Sequence, residues 1–86
     1  MREILHVVSV EAVGDHSLLV SFNDGVTKQV NLRPLLRGPV FKPLLDPAFF
    51  AKVSIDPDLG VTVWPNDIDL APEALHELPD EREHAA

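Results

Sequence analysis

Gly60–Leu75 reads GVTVWPNDIDLAPEAL. Those sixteen residues hold a β-branched run, the single tryptophan of the chain, a turn and a helix start. Val61 to Trp64 has the composition of a strand. Pro65 cannot donate to a ladder, so the strand stops there, and Asn66-Asp67 supply turn chemistry that redirects the chain toward Pro72. Pro72 suits the first position of a helix, Glu73 lies near the positive end of its dipole, and Pro79 ends it after one or two turns. Strand, turn and helix in so short a span point to a small α+β domain. None of these residues forms a catalytic or ligand-binding constellation of recognised spacing, and none elsewhere in the chain does.

Working outward from that stretch, Ile4 to Val13 alternates loosely. Ile4, Val8, Val10 and Ala12 fall on one face and Leu5, Val7 and Val13 on the other, which predicts a strand with both faces partly covered. Gly14-Asp15-His16-Ser17 is turn chemistry, and Leu18, Val20 and Phe22 share a face of a second strand. Asn23-Asp24-Gly25 predicts a tight hairpin turn with Gly25 at positive φ, leading to a third, antiparallel strand from Val26 to Leu32. Arg33 to Pro39 allows one helical turn, and Val40–Leu45 an irregular apolar segment over the sheet. Asp46 can cap a short helix that begins at Pro47 and ends near Ala51. Val53 and Ile55 mark a fourth strand, Asp56 to Gly60 a turn, and Val61 to Trp64 the fifth. The expectation is a single α+β domain over residues 1–78, built on a mostly antiparallel sheet of about five strands with two or three short helices on one face. Residues 80–86 hold no apolar residue larger than alanine, and 79–86 read as a flexible acidic tail.

Length and composition agree with that size. A chain of 86 residues is one domain, and a domain this small buries about 60–65% of its unfolded surface. The hydrophobic fraction of 45% and charged fraction of 24% are those of a compact protein rather than a disordered one. With no cysteine there is no disulfide framework and no thiolate metal site. The N-terminal apolar run is interrupted by His6, Ser9 and Glu11, so it reads as neither a membrane span nor a secretory segment, and a cytoplasmic location is expected.

The net charge of −7 is unevenly spread. Residues 28–52 carry Lys28, Arg33, Arg37, Lys42 and Lys52 against Asp46, giving +4, whereas residues 53–86 carry nine carboxylates against Arg82, giving −8. Two arrangements fit: the two parts pair across the folded surface, or they form separate faces for different partners. Direct nucleic-acid binding is disfavoured, because it depends on displacing counterions with Lys and Arg and only seven are present.

The residues singled out for partner binding are Trp64, Asn66, Asp67, Asp69, Glu73 and Glu77. Trp64 has the size of an interface anchor, although a tryptophan in so small a domain is more often core. The carboxylates present a field that steers a basic partner. A second grouping, Asp67 and Asp69 with His76, could in principle surround a divalent ion and support a metal-dependent or ligand-binding enzyme. Against it, short acidic side chains in turns commonly serve backbone N–H groups. His6, His16 and His84 share no metal-ligand spacing, and no serine sits in a nucleophile-elbow motif. No cofactor and no metal are assigned.

The hairpin turn with Asp24-Gly25, the VNLRPLL segment (30–36), VFKPLLDPAFFAKV (40–53) and WPNDIDLAPEAL (64–75) together resemble the bacterial domain-of-unknown-function family number 2442. The likeness runs from about Ile4 to Leu78, with Trp64, Asn66, Asp69, Pro72 and Leu75 at the family's spacing. Where members usually carry glycine after the Asn and an aromatic after the Leu, this chain has Asp67 and His76. The resemblance implies a small α+β domain without established enzymatic activity, often encoded beside a suspected toxin. It therefore implies an antitoxin or partner-protein role, with a small basic toxin as partner and homodimer formation left open. Some relatives add a helix-turn-helix domain, which is not expected within these 86 residues.

Overall fold

The computed structural model describes residues 4–14 and 16–83. The elements run β1 (Val7–Ala12), β2 (Ser17–Phe22), β3 (Thr27–Asn31), 3-10 segments over Arg33–Leu35 and Pro39–Leu45, α1 (Pro47–Phe50), β4 (Ser54–Asp56), β5 (Val61–Trp64), β6 (Ile68–Leu70), α2 (Pro72–His76) and a 3-10 turn over Glu81–Glu83. The expected sheet of about five strands is instead six strands in two antiparallel sheets, ordered β1-β2-β3 and β4-β5-β6. The reason lies between them. Pro34, Pro39, Pro43 and Pro47 remove four backbone donors from residues 32–53, so no strand forms there to carry the first sheet onward.

The sixth strand, β6, follows from the turn at its start. Asn66 and Asp67 both adopt positive φ, 70° and 59°, a region that short polar side chains tolerate better than other non-glycine residues. The chain thus folds straight back instead of only redirecting toward Pro72, pairing Trp64 with Ile68 and Thr62 with Leu70. Ile68 and Leu70 are buried while Asp69 is exposed, the alternation of a strand with one covered face.

In the first sheet, Leu18, Val20, Phe22 and Val30 face the core as their spacing predicts. Gly25 takes φ 90° in the β2–β3 turn, and the Val26 N–H donates to Asp24 at 3.0 Å. β1 departs from the simple alternation. Its register shifts between Val7 and Ser9, so that Val7 lies opposite Phe22 and Val10 opposite Val20. The bulge puts Val7 and Val10 toward the same side and leaves Val8 exposed. The expected placement of Val8 with Val10 is corrected accordingly. Asp15, in the expected β1–β2 turn, lies outside the described residues.

Val40–Leu45 is not irregular but belongs to the seven-residue 3-10 segment, with Leu44 buried. Asp46 caps α1 as expected, accepting from the Ala48 N–H at 3.0 Å, and Phe50 carries that helix into the core. The sheets meet where the Val7 N–H donates to the Gly60 carbonyl at 2.8 Å. Gly60 has φ +67°, and a β-carbon there would overlap the His6 side chain. Only glycine fits that junction. Burying a core side chain such as Leu18, Leu44, Phe50 or Leu75 contributes about 1.5–3 kcal/mol each.

Residues 79–83, expected to be part of a free tail, lie against β3. The Gln29 N–H donates to Asp80 at 3.2 Å, the Gln29 amide to Glu81 at 3.1 Å, and Arg82 to the Thr27 carbonyl at 2.8 Å. Polar bonds supply the anchor that the lack of large apolar residues hid. Residues 84–86 of that expected tail lie outside the described residues. No described helix is long and apolar enough to cross a membrane.

Candidate protein-interaction surface

Two kinds of residue meet in the stretch from Trp64 to Glu77. Trp64 is buried at 3% exposure, its Nε1–H donates to the Phe50 carbonyl at 2.9 Å, and its ring lies 5.9 Å from that of Phe50. It therefore offers no surface to a partner. Its role is to fix β5 against α1, so that the turn following it is held on a packed base.

Asn66, Asp67, Asp69, Glu73 and Glu77 are all exposed. Glu73 and Glu77, four residues apart on and just beyond α2, share one side of the helix. Neither Asp67 nor Asp69 makes a side-chain hydrogen bond to the backbone, and none of the four carboxylates forms an ion pair with a described residue. Among the described residues, His76 pairs with Asp24 and Arg82 with Asp80, both at 2.9 Å. Neither joins the basic stretch 28–52 to the acidic C-terminal part.

The basic residues are engaged in other ways. Lys28 donates its Nζ to the carbonyls of His76 and Leu78, at the negative end of α2, where a cation is favoured. Arg33 Nε donates to His16 Nδ1 at 3.4 Å. His16 Nε2 lies 3.1 Å from the Leu45 carbonyl; since a carbonyl only accepts, these partners define the neutral Nε2–H tautomer. Lys52 lies 5.9 Å from the Phe49 ring centre. Arg37 and Lys42 are exposed.

His76 does not join Asp67 and Asp69. Its ring packs edge-on against Phe22 at 4.7 Å and its Nε2 reaches Asp24, tying α2 to the β2–β3 turn. Among the described residues no three histidines or carboxylates gather into a group able to hold a metal. The Asp24 carboxyl is held below its ordinary range by the Val26 N–H and then by His76. Asp80 is held further below it, chiefly by the Arg82 guanidinium.

A cavity of about 330 Å³ opens beside the last residues, lined by Asn31, Arg33, Pro34, Leu78, Pro79 and Glu81. Sequence reasoning missed it because its walls come from two segments far apart in the chain, 31–34 and 78–81. The polar triplet Asp80-Glu81-Arg82, a carboxylate and a guanidinium two residues apart, was the available signal for a segment that bonds to itself and to a strand edge.

A family model described as "Protein of unknown function (DUF2442)" matches residues 7–78. No curated protein and no solved structure matches the chain.

Proposed function

We propose that this chain, which belongs to the DUF2442 family, is a non-enzymatic interaction module that takes a small basic protein against the surface of Asn66, Asp67, Asp69, Glu73 and Glu77. One observation supports this reading above the others: those four carboxylates are exposed and receive no cation from the described part of their own chain. Had the two charged parts existed only to hold the domain together, ion pairs between residues 28–52 and 53–83 would be expected. Lys28 instead caps a helix and Arg33 bonds a histidine.

A field of exposed carboxylates accelerates encounter with a basic partner and sets its orientation. Lasting affinity comes from apolar burial and main-chain pairing beside it. Neutralisation of a basic toxin is the form of this function to which the family resemblance points. The chain acts through protein rather than duplex DNA, and salt-sensitive binding to random duplex at physiological ionic strength is not expected.

The test replaces Asp67, Glu73 and Glu77 by their amides and follows association with a partner captured from the native cells. Association slows several-fold and its salt dependence flattens, while the unfolding midpoint is retained. Equal rates and equal salt dependence for parent and variant would remove this surface from the function.

A further inference from the structure

We propose that residues 79–83 guard the outer edge of β3, and that β3, once uncovered, pairs antiparallel with the β3 of a second copy of this chain. In the β2–β3 ladder, Thr27, Gln29 and Asn31 stand opposite Ser21, Leu19 and Ser17. The Phe22 N–H bonds the Val26 carbonyl, and the Leu32 N–H bonds the His16 carbonyl. Bonded and non-bonded pairs alternate along an antiparallel ladder, so Thr27, Gln29 and Asn31 turn their backbone N–H and C=O groups away from β2. An edge of this kind is a template for another strand.

The chain covers part of it with side chains standing where a strand's main chain would. Asp80 accepts from the Gln29 N–H, and Arg82 donates to the Thr27 carbonyl. The two guard residues are locked to each other, Arg82 Nη2 lying 2.9 Å from Asp80 Oδ2. Beyond them the Gln29 carbonyl and both backbone groups of Asn31 meet no partner among the described residues. The edge is therefore half closed.

A second copy fits what is left when the guard moves away. With a two-fold axis at Gln29, Gln29 faces its own equivalent, Thr27 faces Asn31 and Lys28 faces Val30. No like charges stand directly opposite. For a chain of net charge −7, the neutral row Thr27, Gln29, Asn31 is a place where two copies approach without carboxylates meeting. The pairing would merge the two β1-β2-β3 sheets into one. It does not depend on the acidic surface described above.

The experiment is sedimentation equilibrium of the full chain, the Asp80→Ala/Arg82→Ala variant, and that variant with Gln29→Lys added. The double variant shows a reversible monomer–dimer equilibrium with at least tenfold tighter association than the parent. Gln29→Lys, which sets two ammonium groups face to face, returns it to monomer. A folded double variant that stays monomeric overturns the proposal, as does a dimer or larger species that Gln29→Lys leaves unchanged. The milder pair Asp80→Asn/Arg82→Gln gives the same reading if the alanine pair loses its native circular dichroism.

Discussion

Lys28 and Leu78 lie 50 positions apart in the chain, and the Lys28 ammonium donates to the Leu78 carbonyl at 2.9 Å. A lysine that composition alone would assign to a basic surface thus closes the C-terminal end of α2 against the first sheet. Replacing Lys28 by Met keeps most of the stem's packing and removes the donors. The expected cost is ~1–2 kcal/mol in urea unfolding, from lost charge-assisted bonds to partly buried carbonyls. Hydrogen exchange should rise first in α2. An unchanged midpoint would mean that water serves those carbonyls equally well.

Gly25 and Gly60 share positive φ but differ in surroundings. A β-carbon on Gly25 meets nothing within 4 Å, whereas on Gly60 it runs into His6. Gly25→Ala should cost ~1 kcal/mol, from backbone strain alone. Gly60→Ala should cost ~2–4 kcal/mol, since overpacking adds to the strain. Equal costs in chemical denaturation would contradict the sheet junction at Val7 and Gly60.

At Asp67, with φ 59°, glycine is the better backbone and a β-branched residue the worse. Asp67→Gly should leave stability equal or raise it by up to ~1 kcal/mol, and Asp67→Val should lower it by ~1–2 kcal/mol. Thermal melts of the two variants should bracket the parent. If Val is tolerated as well as Gly, the turn has another geometry.

Trp64→Phe leaves the Phe50 carbonyl without the indole donor it has at 2.9 Å. The carbonyl keeps the Val53 N–H at 3.3 Å, so the substitution should cost ~0.5–1.5 kcal/mol, the net worth of one hydrogen bond, plus the packing lost with the smaller ring. Partner capture should be unaffected once the variant is folded, because the indole is not on the surface. Loss of capture at full folding would place Trp64 in the interface after all.

The guard segment should release in acid. Asp80 titrates well below the ordinary carboxylate value of 3.8, first through the Arg82 guanidinium and also through the backbone N–H groups of Arg82 and Gln29. A depressed folded value means that its contribution is fully present above the unfolded value and is lost as pH falls through the folded one. Between pH 7 and about 4 the Gln29 amide should therefore keep its shift, and move only at lower pH. In Asp80→Asn that acid transition should be absent. A transition near neutrality would implicate another group.

The fold could be read from the sequence where local chemistry decides it. Leu18, Val20 and Phe22 alternate without interruption, Asp24-Gly25 encodes its own turn, and Asp46-Pro47 caps a helix within three residues. It could not be read where a single residue changes the count. The bulge between Val7 and Ser9 reverses the expected facing of Val8, and only pairing with β2 reveals it. β6 was signalled by Ile68-Asp69-Leu70, but its existence depended on Asn66 and Asp67 both entering the left-handed region. Of the expected surface, the five polar residues are exposed and Trp64 is not, because its indole found a carbonyl on α1. His76 was grouped with Asp67 and Asp69 by proximity in sequence, whereas Phe22 and Asp24 determine its position in space.

The strand order has a consequence for how quickly this protein reaches its fold. Each ladder joins strands adjacent in sequence, so each three-stranded meander can zip with little loop-closure entropy. The long-range contacts, such as Val7 with Gly60, Asp24 with His76 and Lys28 with Leu78, all dock the second half of the chain onto the first. They gather their energy after the hairpins have formed. Substitutions at Gly25 should then slow refolding, whereas those at Gly60 and Lys28 should mainly accelerate unfolding.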